Sequence, residues 1–298
     1  MRIGTNCVFC GTSTDGLPAV ESARIRCNVR EFGDETFTVW RCAQCRSLHA
    51  RDPVDLEHYY QKYPVARHEY NRGTKLVLGN RMKRLKRAGL KSGKTLIDYG
   101  CGNGHFVRYA REHGVQAEGY DPYSTEFNDA SVLDRTYDFV TAQDVLEHMD
   151  DPQAFFDELT SYLVPTGCIA IGTPNADVID LRNSLDLGAL HQPYHRHIPS
   201  GAELQRMASE RGLKIVEFRK NLYSDTRIPF VNMAFITRYV QKSGGFMDVM
   251  FDDPMDRGPT SYRTVMKSNP SLFLWGLFGS FSSRKTDMLV VACKPAER

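Results

Sequence analysis

The spacing of apolar and polar positions changes along the chain. Near the N-terminus, short alternating runs such as Phe37-Thr-Val-Trp40 have a period of two, as half-buried β-hairpins do. Over about residues 52–92 the pattern turns aromatic (Tyr59, Tyr60, Tyr63, Tyr70), and its spacing predicts helices. Beyond Lys94, strands and helices alternate. Leu96-Ile-Asp-Tyr99 reads as a short strand closing in a glycine-rich turn, and Val107, Tyr109 and Ala110 belong to the helix that follows. Further strands are predicted to end at Gly119–Pro122 and to cover Tyr137–Thr141, Cys168–Gly172, Leu213–Phe218 and Asp287–Cys293. Helices are predicted over Asp151–Leu163 and Gly201–Arg211. This alternation implies an α/β fold with a mostly parallel sheet covered on both faces.

The connection from Asn221 to Lys285 is long for a loop and holds apolar, helical segments at Phe230–Val240 and Pro270–Phe281. It reads as a helical insertion before the last strand. The Pro270–Phe281 segment is too short to span a bilayer and suits a lid, a homodimer surface or an interfacial anchor, the first two being preferred. The zones implied are 1–51, 52–93, 94–220 and 221–298. The basic run Arg81-Met-Lys-Arg-Leu-Lys-Arg87 reads as the solvated face of a helix, with Met82 and Leu85 on the buried side.

Composition narrows the class. With 298 residues, 41% apolar and 25% charged, the chain is an ordinary globular protein, not a collagen, a coiled-coil rod or a disordered tail. The net charge of +2 argues against a dedicated nucleic-acid binder. No segment has the roughly 18 to 20 uninterrupted apolar residues of a membrane helix, and MRIGTNCVFCG lacks a signal-peptide core. A cytoplasmic location is expected, with the eight cysteines as metal ligands or buried thiols rather than disulfides.

Cys7-x2-Cys10 and Cys42-x2-Cys45 have the spacing of two thiolate pairs closing one tetrahedral structural zinc site. Cys27 stands alone, and Cys101, Cys168 and Cys293 read as buried small hydrophobes. Asp98-Tyr-Gly100-Cys-Gly102-Asn-Gly104 lies directly between a strand and a helix, where glycines admit close backbone approach and a helix N-terminus offers free N–H groups. Asp121, ending the next strand, is placed to accept hydrogen bonds from ribose hydroxyls. A dinucleotide fingerprint would read GxGxxG; here the spacing is GxGxG and position 105 is His.

These residues resemble the class I S-adenosylmethionine-dependent methyltransferases. Tyr137-Asp-Phe-Val, Val145-Leu-Glu147-His148, Asp151-Pro152, Gly172-Thr-Pro-Asn175 and His195-Arg-His197-Ile-Pro199 extend the likeness toward the ubiquinone-biosynthesis O-methyltransferase branch. The resemblance implies a Rossmann-like core with a seven-stranded, mostly parallel sheet. It implies that Gly100, Gly102 and Gly104 line the methionine part of S-adenosylmethionine and that Asp98 positions its amino group. Asp121 would hold the ribose, Pro122 and Tyr123 lie near the adenine, and Gln143 lies near the methionine and sulfonium. So few residues separate Asp121 from Tyr137 that the usual third strand is truncated. A zinc ribbon at the N-terminus resembles that of some bacterial small-molecule and glycan methyltransferases.

On a helix, Asp144, Glu147 and His148 would share one face. In ubiquinone-type enzymes matching residues bind a divalent metal; the plainer reading, preferred here, is a capping and hydrogen-bond network. His191, His195 and His197 precede a helix, and a neutral imidazole can take a proton from a hydroxyl. His148, His195 and His197 are the candidate bases. The expected reaction is methylation of a hydroxyl on a small molecule or glycan, with nucleic acid an unlikely partner. The alternatives are an RNA methyltransferase using the ribbon for binding, weakened by the near-neutral charge, and an inactive zinc-ribbon adaptor.

Overall fold

The computed structural model describes residues 6–13, 21–61, 69–221, 223–251, 261–282 and 284–295; the rest of the ribbon, Tyr63 and parts of the linker and insertion lie outside them. Strands β1 (Glu21–Arg26) and β2 (Thr36–Arg41) form the expected hairpin, with Ile25, Phe37 and Val39 turned inward, and β3 (Leu48–Ala50) continues it. Helix α1 (Leu56–Tyr60), capped by Asp55, and α2 (Arg72–Arg87), capped by Asn71, lead to the core.

The core strands are β4 (Thr95–Tyr99), β5 (Gln116–Tyr120), β6 (Tyr137–Gln143) and β7 (Leu163–Pro174), paired in parallel, with α3 (His105–Glu112) and α4 (Pro152–Ser161) between them. After a short α5 (Leu187–Leu190) come β8 (His197–Ile198), α6 (Gly201–Glu210) and β9 (Lys214–Arg219). The insertion holds α7 (Met233–Lys242), α8 (Tyr262–Ser268) and α9 (Ser271–Phe278), and the antiparallel β10 (Asp287–Cys293) enters between β7 and β9. The sheet order is β5-β4-β6-β7-β10-β9. Its inner strands read apolar on both faces, as strands covered twice must. Leu96, Phe139, Ala170, Leu289 and Val291 meet α2 and α3 on one face. Ile97, Val140, Ile169, Ile171, Met288 and Val290 meet Phe155, Phe156 and Leu159 of α4 and Leu204 and Met207 of α6 on the other. Burying one such Phe or Leu contributes about 1.5 to 3 kcal/mol.

Four expectations need correction. Among the described residues the sheet has six strands, not seven: only a 3-10 turn with no buried residue, Ala130–Asp134, stands between β5 and β6, where the third strand was expected to be truncated. The basic run is not wholly solvated. Arg81 and Arg84 are buried, because Arg81 reaches Asp98 at 2.5 Å and Arg84 donates to the Asn221 carbonyl. Cys168 and Cys293 are not free thiols; antiparallel register sets them opposite each other on β7 and β10, and they form a disulfide. The ribbon is not closed off at residue 51 either, because β8 pairs with β3, Leu48 opposite Ile198 and His49 opposite His197. No helix of the described residues is long and apolar enough to cross a membrane.

Candidate functional site

The parallel strands β4 and β6 end in one crevice, the position at which open α/β sheets take ligands. At the end of β4 the chain needs left-handed backbone at Gly100 (φ 70), Gly102 (φ 54) and Gly104 (φ 66). At Gly100 a Cβ would also overlap Val145, and at Gly104 the Phe127 ring, so glycine is required twice over. Helices α2, α4, α6 and α7 carry side-chain caps from Asn71, Asp151, Ser200 and Asn232. Helix α3 starts at Gly104 with no side-chain cap, and a helix N-terminus so placed favours an anionic ligand group.

Asp121 accepts from the backbone N–H of Gly102 through one oxygen and of Tyr123 through the other, both at 2.9 Å, so it joins the glycine turn to the Pro122–Tyr123 corner. Pro122 and Tyr123 are exposed there. Gln143 lies over Gly172 and donates to Asp144 at 2.8 Å. Asp98 is buried; its carboxylate is occupied by Arg81 and, at 2.7 Å, by the Thr141 hydroxyl, so it braces the turn from behind. The Arg81 guanidinium lies 3.9 Å from the Phe106 ring centre and 5.6 Å from that of Tyr223.

The acid and histidine residues assemble differently from the helix-face expectation. Asp144 takes left-handed backbone (φ 56), and only a 3-10 turn follows over Leu146–His148, so no face carries Asp144, Glu147 and His148 together. The group formed instead is Glu147, His148 and His195, with ligand atoms all within 4.8 Å of one another. The Arg196 N–H ties the two segments by donating to the Glu147 carbonyl at 2.6 Å. Burial pushes the Glu147 carboxyl well up, and nearby Asp144 adds to it. Glu147 Oε2 accepts from Thr173, whereas the buried Oε1 has no hydrogen-bond partner among the described residues; His195 Nε2 is 3.8 Å away. His195 Nδ1 lies 2.7 Å from the Ala189 carbonyl and so carries the ring proton. A cation bound there would replace the proton that the raised Glu147 carboxyl holds and would meet the His195 Nε2 lone pair.

Burial lowers His148 to about 4, which keeps its ring neutral. Its Nδ1 is 2.9 Å from the Tyr60 hydroxyl, and the Tyr60 ring stacks on Tyr123 at 4.8 Å. Among the described residues of the aromatic linker, Tyr60 is the one that reaches the site. Tyr59 packs on Phe32 and Tyr194, and Tyr70 bonds Glu112 on α3. His197 does not face the crevice: the β3–β8 pairing holds its Nδ1 3.0 Å from His49 Nδ1, and burial lowers it to about 4. His191 is enclosed against Asn28, its Nδ1 2.6 Å from Oδ1. Two residues at the site carry no signal in the sequence reading: Tyr223 and Asp287. Asp287 heads the last strand beside Asp144 and Asp225, and burial raises it to about 7. Asp144, although open to the crevice, is crowded by its walls and rises to about 6. Only the place of Asp287 at the start of an antiparallel strand could have pointed to it.

The four paired cysteines converge through the same turn made twice. The Gly11 and Arg46 N–H groups, both in left-handed backbone, donate to the carbonyls of Cys7 and Cys42. Thr12 and Ser47 accept from the Cys10 and Cys45 thiols at 3.2 and 3.3 Å. Sulfur separations of 3.4 Å (Cys7–Cys45) and 3.7 Å (Cys10–Cys42) match the edge of about 3.8 Å that a tetrahedral zinc with 2.3 Å bonds requires. His49 Nε2 is 3.2 Å from Cys7 Sγ, so Cys7, His49 and His197 form a buried chain. A cavity of about 670 Å3 lies beside Cys10, Cys45 and Arg206, and none of the crevice residues lines it.

Comparison with known proteins agrees with the crevice. A family model described as a methyltransferase domain matches residues 69–218, half of the chain. The search of curated proteins returns no match. Among solved structures, a Haemonchus contortus phosphoethanolamine N-methyltransferase 2 in complex with S-adenosyl-L-methionine is 15% identical, with a TM-score of 0.51 over 83% of this chain and 62% of that one. A SAM-dependent methyltransferase from Archaeoglobus fulgidus is 16% identical, with a TM-score of 0.46 over 80% of this chain and 100% of that one. The likeness to the Haemonchus contortus structure is one of fold. The family match, together with the uncapped glycine turn and its acidic partner, fixes the assignment: the chain belongs to the methyltransferase-domain family of S-adenosylmethionine-dependent enzymes.

Proposed function

We propose that this enzyme methylates a hydroxyl of a small molecule or sugar, as the ubiquinone-type O-methyltransferases do, and that His148 takes the hydroxyl proton. The carrying observation is that a neutral imidazole and the glycine turn share one crevice. Bound S-adenosylmethionine would supply a methyl carbon on a sulfonium. Gly100, Gly102, Gly104 and the N–H groups of α3 would hold its methionine end, Asp121 its ribose, Pro122 and Tyr123 its adenine side, and Gln143 would lie beside the methionine. Burial raises the carboxyls of Asp144 and Asp287, and the charge of Asp144 adds to the rise at Asp287. His148, held by Tyr60, is a weak base that accepts the proton only as the hydroxyl loses it. Asp98 and Arg81 keep the turn in place.

The unpartnered Glu147 Oε1 facing His195 Nε2 favours a second reading, a divalent cation on Glu147, His148 and His195 that lowers the hydroxyl's own pKa. The four cysteines, on this proposal, hold a separate structural zinc. Labelled cofactor incubated with a cell extract tests the acceptor: label in small molecules or glycans supports a hydroxyl acceptor, and label in RNA refutes it. With the acceptor in hand, sensitivity of turnover to EDTA separates the cation from His148 acting alone.

A further inference from the structure

The helical insertion presents a surface that none of the described residues covers. Helix α9 buries Leu272 and Gly276, and a Cβ at Gly276 would overlap the Phe230 ring. The Arg238 guanidinium lies 3.5 Å over the Trp275 ring on the flank. Packed so closely, α9 cannot roll to hide its other side. Phe273, Leu274 and Phe278 therefore face solvent, 52%, 60% and 60% exposed, and Phe281 just beyond them is 76% exposed. Three large apolar side chains on α9 and a fourth in the 3-10 turn Gly279–Phe281 that follows it are a patch rather than the scattered singles of an ordinary surface.

Charge identifies what would cover it. From Ser261 to Thr286 the chain has no Asp or Glu but carries Arg263, Lys267, Arg284 and Lys285. Arg284 and Lys285 are paired with Asp186 and Asp225. Arg263 and Lys267 are exposed on α8, immediately before α9, and make no ion pair among the described residues. Aromatic and aliphatic side chains beside cations that have no ion pair among the described residues, with no acid between Ser261 and Thr286, complement an anionic bilayer surface. Against a second copy of the same face, these cations would meet cations.

We infer that the α8–α9 face docks on an anionic lipid bilayer, with Phe273, Leu274, Phe278 and Phe281 entering the headgroup boundary and Arg263 and Lys267 meeting lipid phosphates. This goes beyond the proposed reaction and does not depend on it. Flotation of the full chain with phosphatidylcholine vesicles, with and without phosphatidylglycerol, tests it. Binding should rise on the order of tenfold with the anionic lipid. Phe278→Ser with Phe281→Ser should reduce it at least about tenfold, and Arg263→Glu with Lys267→Glu should remove the preference for phosphatidylglycerol. Both double variants alter exposed side chains, and unchanged circular-dichroism melting would show that they fold. The proposal is overturned if the chain binds neither vesicle, if binding survives the phenylalanine pair, or if the face proves to be a dimer contact that those substitutions dissolve while vesicles remain unbound.

Discussion

The glycine turn and the Glu147–His148–His195 group face one crevice but are built in opposite ways. The turn lies within Asp98–His105 and is fixed by backbone conformation, by contacts with Val145 and Phe127, and by one acid a strand away. The histidine group is brought together from residues 60, 147, 148 and 195 by supports that lie outside the core. His195 sits two residues before β8, β8 is held by β3, and β3 begins just after the second cysteine pair. The comparison teaches that the glycine turn is a local construction, whereas the histidine group, and with it the acid–base role proposed for His148, is held up by the N-terminal sheet.

Breaking the support should have the largest effect. Elemental analysis should find about one zinc per wild-type chain, and Cys42→Ser should abolish it. Structural zinc is worth on the order of 10 kcal/mol, so protease should then cut the N-terminal region and turnover should collapse while cofactor affinity survives. Cys27→Ser should leave the zinc content unchanged, since Cys27 packs with Phe32 and Tyr194 and is not one of the four cysteines that converge. Normal turnover in metal-free protein would show that the two regions are independent.

Next in size, His148→Ala should lower turnover at least about 10²-fold with cofactor binding nearly intact, the mark of a group acting in the transition state. His197→Ala should act instead through zinc retention, because its partner is His49. Equal turnover in wild type and the His148 variant, with no effect of EDTA, would remove this half of the comparison.

A smaller effect comes from Asp287. Its folded-state pKa of about 7 lies above the ordinary 3.8. The folded chain therefore keeps a proton that the unfolded chain releases, and the contribution is whole below about pH 4 and lost as pH rises through 7. Buried His148 and His197 slope the other way, so the difference between variants is the clean measurement. Asp287→Asn should match wild type in denaturant melts near pH 4 and become the more stable of the two by pH 8. The smallest expected effect is on the local half: Asp121→Ala should weaken S-adenosylmethionine binding by at least about 1 kcal/mol in calorimetry. Unchanged affinity would remove Asp121 from the site.

The same contrast explains what could be read in the sequence. Strand β10 runs from Asp287 to Cys293 as its apolar run predicts, and the turn is legible because each of its glycines answers a need within a few residues. Arg81 was misjudged because a charged residue on a helix is normally solvated; only the fold reveals Asp98 behind it. The placing of His197 with His195 failed for a related reason: His197 takes its direction from the strand it pairs with, which lies far back in the chain. The helix face expected at Asp144 depended on regular backbone, and a left-handed residue there ended it. Cys168 and Cys293 are separated by 125 positions, and no spacing rule joins residues so distant.

The β3–β8 pairing also sets an order of events during synthesis. His49 and His197 are 148 positions apart. At roughly 5 to 20 residues per second, on the order of ten to thirty seconds pass before the second partner leaves the ribosome. Both cysteine pairs are already outside by then and can close on each other, while the edge of β3 has no neighbour. An early-emerging clamp that waits for a late strand would make the nascent chain depend on its metal supply long before the cofactor cradle exists.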